Sequence, residues 1–168
     1  AHVAFAEPLC PDLRSVLVAA AESAGCPHHN GGSYVCIEGP QFSTLVESNL
    51  YRSWGMDIIG MTNLTEAKLA REAGICYATL ALVTDYDCWH PAHDSVTTEM
   101  IIANLMQNVS VAQNIVSRVV ATFPEGRECG CRTALRNAVI TNPDDITVAA
   151  RDRLALLLDP ILKGSGGE

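Results

Sequence analysis

A chain of 168 residues, 48% hydrophobic and 18% charged, can fill one sizeable core and is too apolar to be disordered. Eleven basic residues against 19 acidic ones leave a net charge of −8, no basic run offsets it, and aromatic residues make up 5%. That balance excludes a nucleic-acid partner, which needs cationic surface and stacking platforms.

No membrane partner is expected either. The most apolar stretch, Tyr77 to Val83, is of strand length and falls far short of the roughly 20 residues that span a bilayer. The start, Ala1-His2-Val3-Ala4-Phe5, lacks the basic-then-apolar pattern of a signal peptide. It also lacks an initiator Met and begins inside ordered-looking sequence, so an N-terminal portion is expected to precede it. Seven scattered cysteines do not form a secreted disulfide framework, and a cytoplasmic location is the expectation.

In chain order, Cys10-Pro11-Asp12-Leu13 opens a helix to about Ala24, with Leu13, Val16, Leu17 and Ala20 on one face and Gly25 as its stop. After the turn His28 to Gly32, Ser33 to Ile37 reads as a short strand, Glu38 to Ser43 as a loop, and Thr44 to Trp54 as a helix. Asp57 to Met61 is the next buried strand. Asn63 and Glu66 have the spacing of a capping box for a helix from Leu64 to Ala73 that closes at Gly74. Ile75 to Thr84 reads as a long apolar strand, followed by the polar loop Asp85 to Pro91. A long amphipathic helix spans about Val96 to Thr122, Pro124 to Arg132 turns, and helical segments resume near Thr133 and from Thr147 to Leu158. The tail from Lys163 to Glu168 reads as flexible. The alternation of strand and helix predicts an α/β class: a mixed, largely parallel sheet flanked by helices. Residues 1–160 are expected to belong to a single domain, with 161–168 as the tail.

Ligands in such sheets sit beyond the carboxyl ends of strands. Those ends are Glu38 to Ser43, Met61-Thr62-Asn63 and Asp85 to Trp89. Asp85 and Asp87 flank Tyr86, and alternation in an extended segment puts both carboxylates on one side. In a poorly solvated pocket such an acid can donate a proton at neutral pH; alternatively it caps a turn. A metal pair there is disfavoured, because no other carboxylate or His lies at a fixed short spacing. Thr62 with the first amides of the next helix suits a small anion such as phosphate, or simply caps that helix. Phe42 offers a face for a flat ring, or core packing. Cys129-Gly130-Cys131 and Cys26-Pro27-His28-His29 invite a zinc reading. The first has one residue between its sulfurs where structural zinc motifs use two to four, and the clusters are far apart, so no metal ligands are assigned. His90 and His93 read as surface residues.

An ordered set of segments is recognisable: Ile37-Glu38-Gly39-Pro40-Gln41-Phe42-Ser43-Thr44, Glu47-Ser48, Tyr51-Arg52-Ser53-Trp54-Gly55, Gly60-Met61-Thr62, Glu66-Ala67, Leu69 to Ala78, and Thr84-Asp85-Tyr86-Asp87-Cys88-Trp89. Together they resemble the trimeric purine nucleoside phosphorylase family, in its branch acting on 5′-methylthioadenosine, over nearly the whole chain. The last segment discriminates, since members acting on 6-oxopurines typically carry Asn in the base pocket there. The resemblance implies a nucleoside phosphorylase/hydrolase-like fold, incomplete at the N-terminus, because the family's opening strand, Gly-rich loop and Arg-His and Thr-Ala phosphate contacts have no counterpart here. It implies a pentosyltransferase that converts methylthioadenosine and phosphate to adenine and 5-methylthioribose 1-phosphate, in purine and methionine salvage. It implies a homotrimer when complete and no cofactor, phosphate being a co-substrate.

By the same resemblance, Asp85 matches the acid that protonates purine N7, and Asp87 the acceptor for the 6-amino group. Phe42 and Ser43 line the base. Met61 lies against the ribose, and Thr62 is the one phosphate contact retained. Thr98, Ile101 and Ile102 form the methylthio pocket, and His2 caps that pocket of a neighbouring subunit. Thr98 stands where some members have Val, which adds a hydroxyl, and Gln41 replaces a basic residue of some relatives. Cys129 with Cys131, and Cys10 with Cys76, resemble cysteines that are disulfide-bonded in heat-stable relatives. With Lys68 and Lys163 the only lysines, the hyperthermophile signal is lacking, and the thiols are read as reduced. The alternatives are a phosphorylase for methylthioinosine or other purine nucleosides, an inactive fragment, and a zinc-binding structural module.

Overall fold

The computed structural model describes residues 1–90, 98–126 and 128–162. Val96, Pro91, His93 and the tail from Lys163 to Glu168 lie outside these described residues, as does the side chain of Thr98. The regular elements are α1 (Pro11–Ser23), β1 (Tyr34–Cys36), α2 (Leu45–Ser53), β2 (Ile58–Gly60), α3 (Asn63–Glu72), α4 (Thr98–Thr122), α5 (Val148–Arg153) and α6 (Ala155–Leu162). Short 3₁₀ turns form at Asp87–Trp89, Gly130–Thr133 and Pro143–Asp145. Among the described residues no helix is long and apolar enough to cross a membrane.

The chain packs as two compact units. One comprises the described residues of Arg14–Leu64 and Thr79–Gly126. Its sheet is the parallel pair β1 and β2, in the register Tyr34–Ile58, Val35–Ile59 and Cys36–Gly60. Aromatic and β-branched residues supply the strand preference. The pair is clamped at its start by Asp57, whose carboxylate accepts from the Ser33 amide at 2.6 Å while its own amide donates to Ser33 Oγ at 3.1 Å. The Ser33 amide, and the Ser33 hydroxyl that donates to the same carboxylate oxygen at 2.8 Å, hold the Asp57 carboxyl below the usual carboxylate range. Ala20 and Ala21 of α1 and Ile115 and Val119 of α4 are buried, and Arg118 of α4 donates to Ser23 Oγ at 3.2 Å.

Helix α2 starts with a capping box at Thr44 and Glu47, where the Glu47 amide donates to Thr44 Oγ1 and the Thr44 amide donates to Glu47 Oε2. The box expected at Asn63 and Glu66 is placed differently. Asn63 is already the first helical residue of α3, its side-chain oxygen accepts from Thr79 Oγ1 at 2.6 Å, and the Glu66 carboxylate accepts from the Tyr77 hydroxyl at 3.1 Å.

The expected strand Ile75–Thr84 is not a strand among the described residues. A strand needs a backbone ladder, and at the end of this segment side chains take two of the carbonyls. The carbonyls of Val83 and Thr84 accept from the Asn108 and Asn104 side-chain amides of α4, at 3.0 and 2.6 Å. The predicted largely parallel sheet is therefore parallel but two-stranded over the described residues.

The second unit comprises the described residues of Ala1–Leu13, Thr65–Ala78 and Arg127–Glu168. Its buried residues include Cys10, Ala67, Cys131, Ala138 and Leu158. Arg71 fastens the N-terminal segment by donating to the carbonyls of Ala4 at 3.2 Å and Glu7 at 2.5 Å. Its guanidinium also lies 5.6 Å from the Phe5 ring.

Candidate functional site

In the first unit the loop after Thr84 is fixed by its own acids. The Asp85 carboxylate accepts from Thr84 Oγ1 at 2.7 Å and from the Asp87 amide at 2.8 Å, an Asx-type turn. Asp87 then adopts φ 59°, a left-handed conformation that Asp tolerates better than most residues. Asp85 therefore does cap a turn, as one of its two sequence readings holds. Asp85 is nonetheless exposed, so a ligand can reach the residue that makes the turn.

Helix α2 positions the second acid. Ser48, 2% exposed, donates to Asp87 Oδ2 at 2.6 Å. One turn further along the same face, the Arg52 guanidinium sits 3.6 Å from the Trp89 ring centroid. Tyr86 meets Trp89 edge-on at 6.1 Å and stacks at a tilt on His90 at 4.9 Å. Cys88 Sγ donates to the Ser43 carbonyl at 3.6 Å, which ties the acidic loop to the loop after β1. Partial desolvation, and then the Asp87 charge, push the Cys88 thiol above its ordinary value.

The loop after β1 carries Phe42 and Ser43. Phe42 is 78% exposed, so it is not a core residue here. Ser43 Oγ is buried and has no hydrogen-bond partner among the described residues, a state that costs free energy unless something else satisfies it. A cleft of about 450 Å³ runs between this loop and α2, lined by Ile37, Gln41, Phe42, Ser43, Tyr51 and Trp54 among others. Met61, just past β2, lies against Gly39. A Cβ on Gly39, whose φ is +68°, would come within 2.5 Å of Met61 Sδ, so a glycine is what lets the two loops meet.

The structure thus brings Ser43, Met61, Asp85 and Asp87 onto adjoining loops at the ends of β1, β2 and the segment leading from Thr79. Thr62 is exposed at the start of α3. On α4, Ile101 is half-buried and Ile102 is 53% exposed. His2 belongs to the other unit, is exposed, and donates its backbone amide to the Ala138 carbonyl at 2.8 Å. Sequence reasoning missed Ser48, Arg52, Asn104 and Asn108 as the groups that hold the loop and the segment before it. The available signal was a polar Ser on the inner face of an amphipathic helix.

The two stretches that invite a zinc reading in the sequence fall in different units. Cys26, His28 and His29 lie in the unit that holds the acidic loop, where Cys26 Sγ donates to the Pro27 carbonyl. Cys129 and Cys131 belong to the other unit, with Cys10 and Cys76.

Residues 1–121 match the sequence profile described as the Phosphorylase superfamily. The chain belongs to this superfamily. Among curated phosphorylases, S-methyl-5′-thioadenosine phosphorylase of Koribacter versatilis is 54% identical over 158 residues, covering 94% of this chain and 54% of the relative. The protein of the same name from Thermosynechococcus vestitus is 57% identical over 165 residues, with 94% and 56% covered. A crystal structure of methylthioadenosine phosphorylase from an antarctic soil metagenomic library superposes with a TM-score of 0.86 at 48% identity, covering 94% of this chain and 56% of that one. Methylthioadenosine phosphorylase from Schistosoma mansoni in complex with adenine gives 0.68 at 31% identity, with 94% and 55% covered. The fold is that of the nucleoside phosphorylases, and the chain spans about half the length of the curated relatives it matches.

Proposed function

We propose that this chain carries the purine- and ribose-facing part of a 5′-methylthioadenosine phosphorylase site. The observation that carries the reading is the acidic loop, locked by Ser48 and Arg52 of α2 and tied to a loop whose buried Ser43 hydroxyl has no partner among the described residues. An ordered acid pair beside an unsatisfied hydroxyl suits a flat, polar heterocycle. The names of the similar phosphorylases point to the same substrate.

In this reading phosphate attacks the anomeric carbon as the bond to adenine N9 breaks through an oxocarbenium-like state. Negative charge gathers on the departing purine, and Asp85 donates a proton to N7. The bound purine would cover Asp85 and supply the desolvation that an exposed carboxyl lacks, which is what makes such a group a useful acid. Asp87, with Oδ2 held by Ser48, accepts from the 6-amino group, which a 6-oxo group could not match. Phe42 lies along the base and Ser43 Oγ bonds to it. Met61 packs on the ribose and Thr62 contributes to phosphate. Thr98, Ile101 and Ile102 receive the methylthio group, and His2 reaches a neighbouring subunit of a trimer. The chemistry needs no cofactor. A doubly charged nucleophile needs several donors and at least one fixed cation, and Thr62 alone matches them here, so residues 1–168 by themselves are expected not to turn over.

The test is a graft in which this chain replaces the matching segment of the Koribacter versatilis relative. Phosphate-dependent release of adenine from methylthioadenosine is the expected result. A graft that folds, binds phosphate and releases no adenine would refute the reading.

A further inference from the structure

Four of the seven cysteines, Cys10, Cys76, Cys129 and Cys131, converge in one unit, with all four Sγ atoms within 4.8 Å of one another. No disulfide joins them. They come from three separate stretches: the residue before α1, the segment after α3, and the 3₁₀ turn that Cys129 caps. Chance packing of small apolar residues explains one or two buried cysteines, not four sulfurs gathered within 4.8 Å.

We propose that these four cysteines form a structural zinc site, closed and tetrahedral, that pins the N-terminal segment to the 3₁₀ turn. Zinc–sulfur bonds of about 2.3 Å in a tetrahedron require sulfurs about 3.8 Å apart. Cys76 and Cys129 already stand at 3.4 Å, and the 4.8 Å limit on the other pairs leaves only small side-chain rotations to make. An iron–sulfur cluster does not fit, because its irons and sulfides would hold the four thiolates further apart. The four thiols release their protons as the cation binds, and the site carries two negative charges.

The backbone around the sulfurs is already fixed, as a structural site requires. The Cys10 amide donates to the Tyr77 carbonyl at 2.7 Å. Asp12 Oδ2 accepts from the amides of Glu128 and Cys129 at 3.2 and 3.0 Å, joining the start of α1 to the turn. The Leu13 amide donates to Cys10 Sγ at 3.5 Å, the kind of bond that steadies a thiolate ligand. Burial shields half of the site: Cys10 is 1% and Cys131 6% exposed, while Cys76 and Cys129 are half-buried. The one-residue spacing of Cys129 and Cys131 places two adjacent corners, and Cys10 and Cys76 supply the others. None of this depends on the phosphorylase reading.

The experiment uses the 168-residue chain, purified anaerobically with a reductant that does not bind metal. Elemental analysis and native mass spectrometry should find one zinc per chain. Replacing it with Co²⁺ should give the intense visible and sulfur-to-metal absorption of tetrahedral cobalt with four thiolates. Cys129→Ser and Cys76→Ser should each reduce that absorption and the zinc content, while Cys26→Ser should leave both unchanged. A reduced chain that takes up no zinc or cobalt overturns the proposal, as does a cobalt spectrum of two sulfurs. Bound iron in place of zinc, or recovery of the four cysteines as two disulfides from the anaerobic preparation, does so equally. If a serine variant fails to fold, the cobalt spectrum of the unsubstituted chain decides.

Discussion

The two regions that gather the reactive side chains are built on opposite plans. The acidic loop of Asp85 and Asp87 is solvated and ordered by directional bonds, from Ser48, from Thr84 and from its own amide. The cysteine cluster is partly buried, with Cys10 and Cys131 inside and Cys76 and Cys129 half-buried, and burial pushes the Cys131 thiol up to about 12. An exposed, pre-ordered polar loop is arranged to meet a ligand that comes and goes. A partly buried knot of sulfurs is arranged to stay. Substitutions at the first should therefore change catalysis and leave folding nearly intact, and substitutions at the second should do the reverse.

The largest expected effect separates the turn that Asp85 caps from the proton donation proposed for it. Asparagine can still accept the Asp87 amide but cannot donate a proton to N7. Asp85→Asn in the graft should lower turnover by roughly 10²–10⁴-fold with an unchanged melting temperature. A loss of less than about threefold would leave Asp85 with the turn alone. Next in size is Ser48→Ala, which removes a hydrogen bond to a charged acceptor and frees the Asp87 carboxylate to rotate. A cost of about 1.5–3 kcal/mol is expected, read as weaker binding of adenine more than as slower turnover. Equal adenine affinity in the two proteins would show that Ser48 does not position Asp87.

The smallest effect is a pH dependence. The folded-state carboxyl groups of Asp57 and Glu47 lie below their ordinary values, because Ser33 and Thr44 respectively donate hydrogen bonds to them. A depressed acid contributes stability that is present above its unfolded value and is lost as pH falls through its folded one. Melting temperature should therefore fall on acidification below the ordinary carboxylate range of about 4. Asp57→Asn should flatten part of that slope while changing little at neutral pH. An identical slope in Asp57→Asn and the unsubstituted chain would remove Asp57 from the account.

Much of this arrangement was legible in the sequence wherever the signal is local. The helix predicted over Thr44 to Trp54 forms as Leu45–Ser53 between caps at just those two residues. The helix opening at Pro11 ends at Ser23, ahead of Gly25, whose φ is +64°. The capping box at Thr44 and Glu47 was equally readable, and spacing alone drew attention to Asn63 and Glu66 instead. What depended on partners distant in sequence was not legible. An apolar run such as Ile75 to Thr84 suggests a strand, but no pattern within it reveals that Asn104 and Asn108 of α4 take its last carbonyls. The sulfur cluster is similar: the spacing around Cys129 argued against zinc, and nothing local links it to Cys10 and Cys76.

The central claim is that the acidic loop reads a 6-aminopurine, and base choice tests it most directly. Rates of phosphorolysis of methylthioadenosine and methylthioinosine, measured as kcat/KM for the graft and for its Asp87→Asn variant, give the comparison. The carboxylate accepts from a 6-amino group and leaves a 6-oxo group unpaired, whereas the Asn amide can donate to the latter. The account predicts a strong preference for methylthioadenosine that shifts by about tenfold or more toward methylthioinosine in the variant. An unchanged ratio between the two substrates would contradict it.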